Sequence, residues 1–234
     1  MNIVIPMAGA GARFAAAGYE QPKPFIPLKG RPMIEHVLDN VACEGAKFYL
    51  LCKLDHLSHL RGTSLCERND VAFIPIETMT EGAACTVLRA ESFINTDEPL
   101  VIANSDQYVE YDRSGWQYFI KNVDAAIMTF PATETKWSYS LEEHGRVIRV
   151  AEKQVISDRA TVGLYYFAKG RYFVEGAKRM IAKNIRVNNE FYVCPVFNEL
   201  VDDITVRNFD VGRMLGLGTP EDFERNAELV GLCA

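Results

Sequence analysis

Short runs of β-branched and apolar residues recur along the chain, at residues 3–7, 47–52, 71–76, 100–103 and 124–130, and each reads as a buried strand. Between them lie segments with apolar positions at helical spacing, near 31–43, 54–61, 82–95 and 114–121. This alternation predicts an α/β fold, a Rossmann-like and mostly parallel sheet flanked by helices on both faces. Further strands are expected at 146–151, 161–168 and 204–209, with helices around 170–183 and 220–230, so the second half reads as an α+β elaboration. No Pro/Gly/Ser-rich linker, repeat or low-complexity tract separates the halves. The expectation is a single domain over 1–234, with a first half of about 1–130 and a second of about 131–234.

Composition narrows the classes. With 234 residues and 48% hydrophobic side chains, the chain can bury a sizeable core without staples. A formal charge of −6 and a pI near 5.3 argue against a general binder of nucleic acid or anionic membrane, whose footprint is basic. Cys43, Cys52, Cys66, Cys85, Cys194 and Cys233 form no C-x-x-C pair, which suggests neither a zinc site nor a disulfide framework. With no export signal or long apolar run, the expected location is the cytoplasm.

The first chemistry lies directly after the first strand, in "IPMAGAGARF". Ala8, Gly9, Ala10 and Gly11 sit where a backbone must turn closely, and Arg13 follows. A dinucleotide fingerprint wants a small residue three positions after the second glycine, where this chain has Phe14, and an acidic residue about 20 further on, which is missing. A polyphosphate cradle fits better. Backbone N–H groups of the loop would face the anion, with Arg13 and the proline-fenced Lys23 of "QPKPF" as fixed cations. Asp106 in "NSD" follows the apolar run "PLVIA" and should project from a strand end into the same crevice. A carboxylate there suits Mg²⁺, which is held by one or two carboxylates plus substrate phosphates. The histidines, His36, His56, His59 and His144, occupy ordinary contexts and read as structural or surface residues.

With those residues in place, the chain resembles the nucleotidyltransferases that make activated sugars, the NDP-sugar pyrophosphorylases. The resemblance runs through "MAGAGARF", "PKPFIPLKGRPMIEHV", "TEGAACTVL", "NSD", "EK" at 152–153, "VGLYYF", "NNEFYV" and "GLGTPEDF". It implies a GT-A-like fold whose first half binds a nucleoside triphosphate and whose second half binds a sugar phosphate or similar phosphomonoester. The implied reaction releases pyrophosphate and serves precursors of surface polysaccharide, such as capsule. Arg13 would hold the departing pyrophosphate, Lys23 would stabilise the reacting phosphates, and Asp106 would bind Mg²⁺. Lys153 would receive the acceptor phosphate. Glu152 and Glu190 would take acceptor hydroxyls or amines, while Gly163 lets the acceptor approach the backbone. Trp137 and Tyr139 are candidate pocket aromatics. The resemblance leaves room for a homodimer.

Two departures from the family pattern matter. Where the family carries a base-reading glutamine five residues before Gly82, this chain has Glu77, which as a carboxylate only accepts hydrogen bonds. That favours a pyrimidine triphosphate, CTP first. Where relatives carry a metal-binding aspartate near the C-terminus, this chain has Gly216. Asp210 is the nearest earlier carboxylate, and strand alternation points it either at the ion or at solvent. The runner-up class is a GT-A-type glycosyltransferase consuming a nucleotide sugar, but such enzymes show an Asp-x-Asp motif, and Asn104-Ser105-Asp106 has one carboxylate.

Overall fold

The computed structural model describes residues 1–61 and 63–231. Its strands are β1 (Asn2–Pro6), β2 (Pro27–Leu28), β3 (Arg31–Pro32), β4 (Lys47–Lys53), β5 (Val71–Ile76), β6 (Leu100–Ala103), β7 (Gln107–Glu110), β8 (Ala125–Pro131), β9 (Ser138–Glu143), β10 (Arg146–Glu152), β11 (Arg159–Phe167), β12 (Val206–Asp210) and β13 (Arg213–Gly216). The α-helices are α1 (Ala12–Ala16), α2 (Met33–Val41), α3 (Ala83–Val87), α4 (Glu91–Ile94), α5 (Arg113–Phe119), α6 (Gly170–Ala182) and α7 (Pro220–Asn226).

Among the described residues, nine strands form one mixed sheet through both halves of the chain, in the order β10-β9-β11-β6-β1-β4-β5, with β8 and β12 added beside β11. The first-half strands β6, β1, β4 and β5 are parallel, as expected from the strand–helix alternation. The long strand β11 runs against β6 and joins the two halves. Period-two alternation divides the core: Ile3 and Ile5 of β1 face one apolar layer with Val101 and Ala103 of β6, while Val4, Leu100 and Ile102 face the other. All of these are at most 3% exposed, so strand runs without polar positions mark strands covered on both faces.

Several expectations change. The segment 82–95 is three short pieces, α3, a 3-10 turn at Leu88–Ala90 and α4, and 54–61 is 3-10 (Leu54–Leu60). Residues 31 and 32 pair as β3 before α2 begins, since Pro32 lacks an N–H and suits the entry to a helix. β7, β9, β13 and α1 were not anticipated. Cys43, Cys52, Cys66, Cys85 and Cys194 are free thiols, and burial pushes that of Cys52 up to about 11. Cys233 lies outside the described residues. Among the described residues no helix is long and apolar enough to cross a membrane.

Candidate active site

A cleft of about 760 Å³ opens at the carboxyl ends of β1 and β6, where open α/β sheets bind ligands. Arg13, Lys23, Asp106, Glu152, Lys153 and Gly163 all line it. Gly11 reaches left-handed backbone geometry (φ 63°) and opens α1, whose first turn carries Arg13. A Cβ on Gly11 would touch the Lys23 Cβ at 3.7 Å, so the glycine loop lies directly against the lysine segment. Lys23 itself begins a 3-10 turn, Lys23–Phe25, anchored by buried Pro24 and Phe25.

Lys23 Nζ donates to Asp106 Oδ2 at 2.7 Å, with side-chain exposures of only 20% and 23%. Burial pushes the Asp106 carboxyl up, yet the charge and hydrogen bond of Lys23, joined by the charge of Arg13, hold it below its ordinary value. On its other side lies Gly218, where a Cβ would stand 2.7 Å from Asp106 Oδ2. The missing side chain leaves the carboxylate approachable. Among the described residues no three His, Cys, Asp or Glu side chains converge as a metal cage. One hard carboxylate beside the cations Lys23 and Arg13 is a donor set that fits Mg²⁺, which completes its shell with phosphate oxygens and water.

Asp210 does not join this group. It ends β12, and β12, β8, β11 and β6 are successive neighbours in the sheet, so Asp210 stands three strand spacings, about 14 Å, from the strand that leads to Asp106. Its carboxylate pairs with Arg159 Nη1 and accepts from Thr129 Oγ1 at 2.7 Å, and it does not line the cleft. Of the two directions left open for Asp210, toward the ion as second metal ligand or away from it, the structure has the one away from the cleft. Asp210→Asn is expected to change turnover less than about threefold, as for an exposed ion pair. Steady-state rates at saturating Mg²⁺ check this, and a loss approaching that of an Asp106 variant would contradict it.

Another part of the cleft wall is built by the end of β10. Lys153 adopts left-handed geometry (φ 55°), a conformation that non-glycine residues rarely hold, and its N–H donates to the Trp137 carbonyl at 3.0 Å. Its Nζ donates to the Tyr192 hydroxyl at 2.7 Å and sits over that ring. Ser138 Oγ donates to Glu152. Burial raises the Glu152 carboxyl above its ordinary 4.5; Ser138 and Lys153 oppose the rise, and the charge of Glu190 adds to it. Glu190 itself is exposed and closes a tight turn through Asn188 and Asn189, both at positive φ, so it stands at the rim rather than in the lining.

Gly163 has a reason other than substrate approach. It occupies the irregularity in β11 at φ 77°, and a Cβ there would fall 2.1 Å from Asn104 Nδ2 and 2.7 Å from Gln107 Oε1. The space belongs to those side chains. Gly82, at φ 127° and ψ 174°, likewise packs on the backbone of Phe191. Of the aromatics, Trp137 lines the cleft, whereas Tyr139 is fully buried core. The Trp137 ring also lies against Gly216, at 3.7 Å from the position of a Cβ. Tyr192 and Asp222, from the motifs "NNEFYV" and "GLGTPEDF", line the cleft as well, as does Lys136, which carried no sequence signal.

A second hollow of about 450 Å³ lies beside the glycine loop, lined by Ala8, Lys53, Leu54, Asp55, Ile76, Glu77, Thr78 and Met79. Glu77 is thus placed outside the main cleft, next to the loop on which Gly9 and Ala10 continue.

Known proteins share this architecture. A family model described as Nucleotidyl transferase matches residues 3–194. The mannose-1-phosphate guanyltransferase of Emericella nidulans is 24% identical over 247 residues, covering 100% of this chain and 64% of that protein, so the chain spans just under two thirds of this relative's length. The 2-aminoethylphosphonate cytidylyltransferase of Lancefieldella rimae is 26% identical over 181 residues, 71% of this chain and 67% of its own. Among solved structures, a nucleoside-diphosphate-sugar pyrophosphorylase from Vibrio cholerae RC9 shares the fold with a TM-score of 0.82 at 24% identity, covering 97% of this chain and 99% of that one. The matched region contains the glycine loop, Lys23, Asp106, Lys153 and Tyr192, and the chain belongs to the nucleotidyl transferase family.

Proposed function

We propose that the protein joins a nucleoside triphosphate to a sugar phosphate or similar phosphomonoester with release of pyrophosphate. An oxygen of the acceptor phosphate attacks the α-phosphorus, and the bond from that phosphorus to the β-phosphate bridging oxygen breaks. The observation that carries this reading is the gathering of Arg13, Lys23, Asp106 and Lys153 in one cleft. Because the nucleophile is already an anion, positioning and charge neutralisation suffice and no general base is needed. Arg13 holds the departing pyrophosphate, Lys23 the reacting phosphates and Lys153 the acceptor phosphate, while Glu152 and rim residue Glu190 take acceptor hydroxyls or amines. Asp106 is the residue that would hold Mg²⁺, which supplies charge neutralisation for the triphosphate. The backbone from Ala8 to Gly11, with Gly82, forms the nucleotide side. Glu77 as acceptor favours a pyrimidine, CTP first. The matched relatives are named for guanylyl and cytidylyl transfer, which makes the base the first quantity to measure. We assign the activity to the cytoplasm and its product to surface polysaccharide precursors.

The test is a matrix of the four common nucleoside triphosphates against sugar phosphates and small phosphomonoesters, scored by pyrophosphate release. Transfer or hydrolysis of a nucleotide sugar, with no pyrophosphate-dependent reverse reaction, would replace this reading with a glycosyltransferase. Excess chelator should abolish turnover and Mg²⁺ or Mn²⁺ restore it; full turnover in chelator refutes the metal assignment. Because Glu152 keeps its proton above the ordinary glutamate range, it becomes a full acceptor only as pH rises through its raised value. Acceptor affinity should therefore strengthen on that limb and Glu152→Gln should remove the limb. An acceptor KM whose pH dependence is the same in the unmodified protein and in Glu152→Gln would contradict this role.

A further inference from the structure

The hollow beside the glycine loop is built at the carboxyl ends of two neighbouring parallel strands. Lys53, the last residue of β4, is the register partner of Ile76, the last residue of β5, and Glu77 follows immediately. Strand spacing of about 4.8 Å therefore sets Lys53 beside Ile76, with Glu77 one residue further along the same rim. Pro6 lines the main cleft and Ala8 the hollow, so the glycine loop borders both, and a ligand whose phosphates lie on that loop has room for its other end at this rim. Among the described residues neither Lys53 nor Glu77 is part of an ion pair, so both present their charge to the hollow. Leu54 and Met79, 55% and 74% exposed, supply apolar walls that a flat ring would cover.

Every nucleobase edge mixes donors and acceptors. Glu77 and Asp55 only accept, and a hollow read by them alone would leave the ring oxygens and nitrogens of the base unpaired. Lys53 only donates. We propose that Lys53 is a specificity-determining residue: its ammonium donates to the carbonyl or ring nitrogen of the same nucleobase whose amino or imino hydrogen Glu77 accepts. Cytosine, with its amino group beside two acceptors, is the ring this pair suits best. The assignment rests on the nucleotidyl transfer reading for the presence of a base, and it adds the residue that reads the base.

The experiment separates base reading from plain attraction of phosphate. Binding of CTP, UTP, GTP, ATP and inorganic tripolyphosphate, which has no base, is measured by calorimetry on the wild-type chain and on Lys53→Met, with thermal midpoints confirming equal folding. Loss of one charged hydrogen bond should weaken the tightest nucleotide about tenfold and narrow the spread among the four. Tripolyphosphate binding should not change. Equal weakening of all five ligands, or no change in any, overturns the proposal, as does a wild-type chain that holds tripolyphosphate as tightly as its best nucleotide. Base-selective binding that depends on Lys53, without pyrophosphate release from any acceptor, would sink the transfer reading and leave this one standing.

Discussion

Asp106→Asn is expected to lower turnover at least about 100-fold at saturating Mg²⁺, the scale for removing one preorganised electrostatic element. The substitution keeps the side-chain shape, so the contact with the Gly218 backbone and the surrounding packing persist. What it removes is the charge held between Lys23 and the open face toward the cleft. Stability at neutral pH should fall modestly, by what the charge contributes through its pair with Lys23, the loss being limited because Lys23 is partly exposed and can turn to water. The acid limb is different. The Asp106 carboxyl titrates below its ordinary 3.8, so its contribution is present above the unfolded value and is lost as pH falls through the lowered folded value. The Asn variant should show a shallower acid limb in a denaturation series below about pH 4. Turnover near that of the wild type would refute the assignment of this cleft as the catalytic one.

Gly82→Ala should destabilise the fold by about 3 kcal/mol or more, seen as a fall in Tm on the order of 10 °C. The backbone there, φ 127° and ψ 174°, is a region that essentially only glycine occupies. A Cβ would also stand 2.5 Å from the Phe191 carbonyl oxygen and 2.6 Å from its nitrogen, and backbone cannot step aside as a flexible side chain does. Phe191 is itself tied on both sides, its N–H to the Glu81 carbonyl at 2.8 Å and its carbonyl to the Ala84 N–H at 2.9 Å. A residue that served only as a ligand contact would lose affinity on substitution and keep its Tm. Thermal melts of the ligand-free variant therefore decide between the two roles.

The strands β1, β4, β6 and β8 were legible because burial on both faces demands unbroken apolar runs, and β5, a part-exposed edge strand, because its own run is apolar. Gly9, Gly11, Arg13, Lys23 and Asp106 were legible because a tight turn and fixed charges after strand ends have few structural uses. β7 and β13 were not: each is four residues, half-buried, and pairs with a segment distant in sequence, so neither carries a periodic signal. The reason for Gly163 and Gly82 lay in neighbours from elsewhere in the chain, Asn104 and Phe191, which no local pattern names. The direction of Asp210 stayed open for the same reason, since the position of β12 two strands beyond β11 depends on sheet order rather than on local sequence. Lys53 reads as an ordinary strand-end lysine until its pairing with Ile76 brings it to the hollow that Glu77 also lines.

The β7–β13 pair has a consequence for the order in which the molecule is made. β7 begins one residue after Asp106, and its partner β13 leads to Leu217, whose N–H donates to the Asp106 carbonyl at 2.8 Å, and to Gly218 against the carboxylate. A nascent chain can pair β1, β4, β5 and β6 soon after Ala103 emerges, yet the wall around Asp106 waits for residues on the order of 100 positions later. At about 5–20 residues per second, the ribosome leaves that carboxylate unwalled for roughly 5–20 s. A chain broken off during that interval would hold a glycine loop and four paired strands but no competent cleft.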